Sequence, residues 1–77
     1  MPVIIDDIKR IISLQLGIKE IGDDDHLLVE LGAESLDVMN IVVAIEEKFN
    51  IQIEEMEILD IQTPSAIYQL VKDRVPG

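Results

Sequence analysis

Cysteine is absent from this chain of 77 residues, and aromatic side chains are rare. Without cysteine there is neither a disulfide framework nor a protein thiolate for zinc-ribbon or redox chemistry. Phe49 and Tyr68 are the only aromatic residues, so the core must be aliphatic. No apolar run approaches the ~18 residues that span a bilayer, and the first residues lack the basic start of a signal peptide. We therefore expect a soluble, cytoplasmic protein without membrane insertion.

Basic residues are also scarce, with six Lys and Arg against 16 Asp and Glu, for a net charge of −10. A phosphate backbone would repel such a chain, which argues against nucleic-acid binding. The charge is uneven, because residues 20–60 hold 13 acids and one base, Lys48. We interpret this region as a negative surface. The remaining bases include Lys9, Arg10, Lys72 and Arg74, which we expect to be solvated.

The apolar spacing predicts an all-α fold with four helices in one domain, residues 1–77. The first helix is predicted over Val3–Leu16, with Gly17 as its stop, and the second over Ser35–Phe49. A short third helix is predicted over residues 54–59. Thr63 is a good N-cap with Pro64 at the first position of the last helix. The sum is a small, monomeric four-helix bundle.

Residues 17–34 contain three glycines and an Asp23-Asp24-Asp25 run but no sustained periodicity. We interpret them as a long loop between the first two helices, which Leu27, Leu28 and Leu31 attach to the core. The aspartate run lacks the alternating acids, the glycine and the closing glutamate of an EF-hand loop. We therefore predict no metal site.

The second predicted helix carries two apolar stripes on different sides. The larger stripe consists of Val38, Ile41, Val42, Ile45 and Phe49, which is enough for a core. The smaller stripe consists of Leu36, Met39 and Val43 and is bordered by acids. An apolar strip in an acidic frame favours a docking surface for a basic partner. The alternative is that the loop or the short third helix covers the smaller stripe.

Ser35 stands between a glycine-containing turn and this strongly apolar helix. A helix N-terminus has unpaired backbone N–H groups and a partial positive charge, so a phosphate esterified to Ser35 would be well placed. The simpler alternative is that Ser35 is only an N-cap. A catalytic triad with His26 and Asp37 is disfavoured, because no Gly-x-Ser-x-Gly elbow is present. We expect no enzymatic activity.

The segment Leu31-Gly32-Ala33-Glu34-Ser35-Leu36-Asp37 closely resembles the prosthetic-group site of acyl carrier proteins, whose hallmark is Asp-Ser-Leu in a Leu-Gly-Ala context. The resemblance continues through Glu46-Glu47-Lys48-Phe49, and the order of helices matches over essentially the whole chain. It implies that a phosphopantetheinyl transferase moves 4′-phosphopantetheine from coenzyme A onto Ser35. The thiol of this arm would then carry acyl groups as thioesters, while the protein itself catalyses nothing.

The resemblance further implies that synthase and acyl-transfer enzymes recognise the acidic second helix through basic patches. By position, the recognition acids would be Glu34, Asp37, Glu46 and Glu47, and the apolar contacts would be Leu36, Met39 and Val43. Met56, Ile58, Leu59 and Ile61 would border a pocket for the acyl chain. The alternative hypothesis for the function is an acidic helical protein-interaction module that is never modified and that binds its partner through the same apolar stripe.

Two residues depart from the family pattern. Glu34 replaces the usual Asp, which keeps the charge and adds a methylene group. Asn40 occupies a position that is commonly acidic in fatty-acid carriers, and it removes one charge from the partner face. A carrier for polyketide, lipid-modification or peptide-associated synthesis therefore stands beside a general fatty-acid carrier as an interpretation.

Overall fold

Three α-helices and one short 3₁₀ helix form the protein in the computed structural model, which describes residues 3–75. They are α1 (Ile5–Leu16), α2 (Ser35–Phe49), the 3₁₀ helix (Glu55–Asp60) and α3 (Pro64–Arg74). The described residues contain no strand. This confirms the all-α fold with a short third helix and a long loop between the first two helices.

The ends of the helices follow local backbone chemistry. Gly17 ends α1 in the left-handed conformation (φ +70°), and its N–H donates to Ser13 C=O at 2.8 Å. Asn50 ends α2 in the same conformation (φ +55°), which asparagine tolerates better than most residues. Thr63 caps α3, since its Oγ1 accepts from the Ala66 N–H at 3.1 Å. The predicted start of α1 at Val3 is two residues early, because Ile4 is still extended (φ −121°, ψ 154°).

The core is aliphatic, as the rarity of aromatics predicted. α1 packs against α2 and against α3. The larger stripe of α2 faces inward, with four of its five residues buried and Phe49 half-buried. The buried hydrophobic residues are Ile8, Ile12, Ile21, Leu27, Ala33, Val38, Ile41, Val42, Ile45, Ile53, Ile61, Ile67 and Val71.

The long loop is joined to α1 and α3 by polar contacts. Leu27 N–H donates to Gln62 C=O at 2.8 Å, and Ser65 N–H donates to Asp23 C=O at 2.9 Å. The carboxylate of Asp23 also forms an ion pair with Lys9, and this contact raises the pKa of the lysine. The aspartate run thus joins the loop to both terminal helices.

One expectation about the leucines of the loop is wrong. Leu27 is buried and Leu31 half-buried, but Leu28 is 42% exposed, because the turn that follows His26 directs it outward. Arg74 is exposed and Lys9 half-buried, and each also forms an ion pair with an acid distant in sequence.

Candidate functional site

The buried residues Leu27 and Ala33 hold the turn that leads into Ser35. The backbone N–H groups of Glu30 and Leu31 both donate to His26 C=O, which closes the loop back on itself. Gly32 then turns the chain with φ +71°, a region that favours glycine. Ala33 is buried and its N–H donates to Leu27 C=O at 2.8 Å. The backbone directly before Ser35 is therefore fixed to the core.

Ser35 itself is exposed and is the first residue of α2. The N-cap is Glu34, with extended backbone (φ −92°, ψ 166°), so the alternative that Ser35 serves as the cap is wrong. Glu34 N–H donates to the Asp37 carboxylate at 3.0 Å, which gives the first turn its polar closure. The Asp37 carboxylate thus takes the capping contact, and no hydrogen bond engages the Ser35 hydroxyl among residues 3–75.

The amide groups of the first turn favour negative charge at this serine. The first hydrogen bond of α2 is donated by Val38 to Glu34 C=O at 3.1 Å. The N–H groups of Ser35 and Leu36 precede it and have no acceptor inside the helix. Together with the helix dipole they favour a phosphoryl group on the hydroxyl.

The smaller apolar stripe of α2 lies at the surface. Leu36 is 69% exposed, Met39 44% and Val43 47%. Leu36 and Val43 do not line the depressions between α2 and the 3₁₀ helix, whereas Met39 does and is partly covered from that side, so the alternative for this stripe applies to Met39 only in part. α2 thus presents one apolar face to the core and a second to its surroundings.

The four predicted recognition acids differ in their contacts. Glu34 and Glu47 are exposed, while Asp37 and Glu46 are half-buried. The Glu46 carboxylate accepts a hydrogen bond from Ile53 N–H at 2.9 Å and so holds the chain that follows α2. Asp37 and Glu46 therefore stabilise the fold at the two ends of α2, whereas the side chain of Glu47 makes no such contact with residues 3–75.

Two adjoining apolar depressions lie between α2 and the 3₁₀ helix, and Ser35 lines the smaller of them. A cleft of about 150 Å³ is lined by Leu28, Ser35, Val38, Met39, Ile58, Leu59 and Gln62. A shallower groove of about 600 Å³ is lined by Met39, Glu55, Met56, Ile58 and Leu59. Met39, Ile58 and Leu59 border both. Three of the four expected pocket residues lie here, but Ile61 belongs to the core and is 5% exposed.

Sequence reasoning did not find Leu28 and Gln62 as lining residues of the cleft. Gln62 Nε2 donates to Ile58 C=O at 2.6 Å, while Gln62 Oε1 is buried and has no hydrogen-bond partner among residues 3–75. A buried acceptor without a donor is unfavourable. A phosphopantetheine arm brings amide N–H donors, so the residues around Ser35 fit this group. No sequence pattern marks Gln62, because its position depends on the packing of the loop.

Other sites receive no support from the described part of the chain. Within residues 3–75, no group of three or more Asp, Glu or His side chains is arranged to hold a metal ion. None of the helices there is long and apolar enough to cross a membrane. His26 Nδ1 accepts from Val29 N–H at 3.3 Å, so the single histidine takes part in its own turn.

Comparison with known proteins agrees with this geometry. Residues 6–71 match the family described as "Phosphopantetheine attachment site". The chain is 38% identical over 71 residues to the acyl carrier protein of Wolinella succinogenes, covering 90% of this chain and 93% of the relative. It is 34% identical over 71 residues to that of Chlamydia caviae, with 90% and 92% covered. The chain therefore belongs to the acyl carrier protein family, whose prosthetic group is phosphopantetheine.

Proposed function

We propose that Ser35 is the attachment residue and that residues 1–77 act as a single, monomeric acyl carrier domain in the cytoplasm. The observation that carries this proposal is the exposed hydroxyl at the start of α2, on a backbone that Leu27 and Ala33 hold in place. Glu34 caps the helix in its stead. The serine is thereby accessible to an enzyme without any unfolding of the turn.

The modification is performed on this chain by a partner transferase. The Ser35 hydroxyl oxygen forms a bond to the β-phosphorus of coenzyme A and loses its proton, and adenosine 3′,5′-bisphosphate departs. The helix N-terminus stabilises the phosphodiester that results. The bound group supplies a thiol for thioester formation. We infer no catalytic step by the carrier's own residues.

The face around Ser35 is the proposed contact for the transferase and for synthase and acyl-transfer enzymes. Leu36, Met39 and Val43 give it exposed apolar area, and Glu34, Asp37, Glu46 and Glu47 surround that area with negative charge. Basic partner surfaces would be attracted by the charge, while contact with the apolar side chains would stabilise the complex.

The cargo would lie between α2 and the 3₁₀ helix. Met39, Ile58 and Leu59 border both the cleft at Ser35 and the adjoining groove, which gives an acyl chain a continuous apolar surface. Asn40 is exposed on α2, so the missing charge changes the surface that partners meet. The pathway is fatty-acid synthesis or a related polyketide or lipid synthesis. Rapid elongation by a general fatty-acid synthase would contradict the specialised version.

Intact mass spectrometry tests the attachment. The protein is incubated with coenzyme A, magnesium and a broad-specificity phosphopantetheinyl transferase. We expect one added phosphopantetheine on the wild type and none on Ser35→Ala, with Ser65→Ala as the matched serine control. An unmodified wild type would favour the alternative, an acidic helical interaction module.

Met39→Glu tests the partner face. Because Met39 is partly exposed, we expect the rate of modification by the transferase to fall about tenfold, as for loss of one central interface contact, with little change in melting temperature. Leu14→Glu is the control, because Leu14 is 80% exposed on α1, away from Ser35 in sequence. Equal rates for the two variants would contradict the proposed face.

A further inference from the structure

The 3₁₀ helix is the weakly anchored wall of the groove that adjoins the cleft at Ser35. No residue of Glu55–Asp60 is buried, and Ile58 alone packs partly against the core. The hydrophobic anchors, Ile53 and Ile61, lie outside the helix at either side. Since little apolar area fixes the helix itself, polar contacts determine a large share of its position.

Arg74 supplies such contacts from the last turn of α3. Its Nη1 donates to Gln52 C=O at 2.8 Å and to Glu57 Oε2 at 2.9 Å, and its Nη2 pairs with Glu57 Oε1. The Arg74 guanidinium thus holds both the 3₁₀ helix and the segment that precedes it. A two-pronged Arg–carboxylate contact fixes direction as well as distance.

Glu57 is itself restrained by its own helix. Its Oε2 also accepts from Glu54 N–H at 2.7 Å, at the start of the 3₁₀ helix. The carboxylate therefore joins the first turn of this helix to the C-terminal turn of α3. The Arg74 guanidinium lowers the pKa of the Glu57 carboxyl, which agrees with a formed ion pair.

We propose that Arg74 and Glu57 form a clamp that sets the position of the 3₁₀ helix and thereby how readily the groove opens for the acyl chain. This inference rests on the proposed carrier function, because it takes the groove between α2 and the 3₁₀ helix as the cargo site. Arg74 acts as a positioning residue. With the clamp released, Met56, Ile58 and Leu59 move away from Met39 more often, and a bound thioester is exposed to water more often.

The variants are Arg74→Gln, Glu57→Gln and the double variant, with Arg74→Lys as the conservative change. Lys72→Gln is the matched control, because it removes the same charge from the same turn of α3, and no ion pair joins Lys72 to the 3₁₀ helix among residues 3–75. If the two residues act as one clamp, the double variant should show the same increase in amide exchange and thioester cleavage as either single variant. The rates of exchange and cleavage in Arg74→Lys should lie between those of Arg74→Gln and wild type, because an ammonium keeps the charge but lacks the planar guanidinium that makes two parallel hydrogen bonds.

Hydrogen exchange on the protein without prosthetic group is the first measurement. We expect the amides of Glu57 and Ile61 to exchange about threefold faster in Arg74→Gln, in the range for a favourable surface ion pair, while the amides of α2 are unchanged. Those two amides donate within the 3₁₀ segment, to Glu54 C=O and Ile58 C=O. Equal exchange in Arg74→Gln and Lys72→Gln would overturn the clamp.

Thioester cleavage by hydroxylamine is the second measurement, on hexanoyl, octanoyl and decanoyl forms. We expect about threefold faster cleavage in Arg74→Gln than in Lys72→Gln for the chain that wild type protects most, following the same change in groove opening. Equal cleavage would overturn the link to cargo. If wild type cannot be loaded at all, the proposed function fails, while the exchange measurement still decides whether the clamp exists.

Discussion

The two walls of the groove, α2 and the 3₁₀ helix, are anchored in different ways. α2 buries Val38, Ile41, Val42 and Ile45, whereas the 3₁₀ helix buries none of its own residues. One wall is held by the aliphatic core and the other by its flanking isoleucines and by Arg74. On the proposed cargo role, a groove with one firmly packed and one weakly packed wall would admit apolar chains of different length without unfolding of the domain.

Truncation of one aliphatic side chain in each wall tests this contrast most strongly. Ile45→Ala should lower the free energy of unfolding by about 3 kcal/mol, because it leaves a cavity in the core, where Ile45 is fully buried. Leu59→Ala removes as many carbon atoms from a side chain that is 82% exposed, so the change should stay within about 0.5 kcal/mol. Urea unfolding measures both. Similar losses would mean that the 3₁₀ helix is part of the core.

Glu46→Ala and Glu47→Ala sharpen the contrast inside α2. Both remove one negative charge from neighbouring positions, but only Glu46 accepts a hydrogen bond from Ile53 N–H. We expect Glu46→Ala to be less stable than Glu47→Ala by about 1 kcal/mol, the usual value of one such bond. Thermal unfolding of the pair measures the difference, and the shared charge effect cancels. Equal melting temperatures would show that this contact contributes nothing.

Acid should remove the smallest of these contributions, the ion pair at the 3₁₀ helix. The pKa of Glu57 in the folded protein lies below its ordinary value of 4.5, mainly through its contact with Arg74. Its contribution is therefore complete above that value and is lost as the pH falls through the lower folded value. The difference in urea midpoint between wild type and Arg74→Gln should shrink from pH 6 to pH 3. A difference independent of pH would exclude the ion pair as its cause.

The sequence predicted best those elements whose ends carry strong local signals. α2 has its predicted bounds, since Gly32 precedes it and Asn50 ends it in a left-handed conformation. The Thr63-Pro64 pair likewise located the start of α3. The exposed serine and the two faces of α2 follow from those bounds and from helical periodicity alone.

Features that depend on distant contacts were not predictable. Arg74 and Glu57 are 17 residues apart, and nothing in either local sequence indicates that they meet. Leu28 and Ile61 are both aliphatic loop residues, yet one is exposed and the other buried. Which of them faces the core is decided by the hydrogen bonds of the loop, such as that from Leu27 N–H to Gln62 C=O.

On the proposal that Ser35 carries the prosthetic group, its place as the first residue of α2 has a geometric consequence for the enzymes that use the arm. A flexible arm attached at the end of a helix can reach a wide range of positions outside the protein. An arm attached in the middle of a helix would be hindered by the side chains around it. Enzymes that dock along the flank of α2 would then all find the thiol within the same radius, at a high effective concentration. Successive enzymes could then bind the same surface of α2 in turn, while the cargo stays covalently attached to the protein.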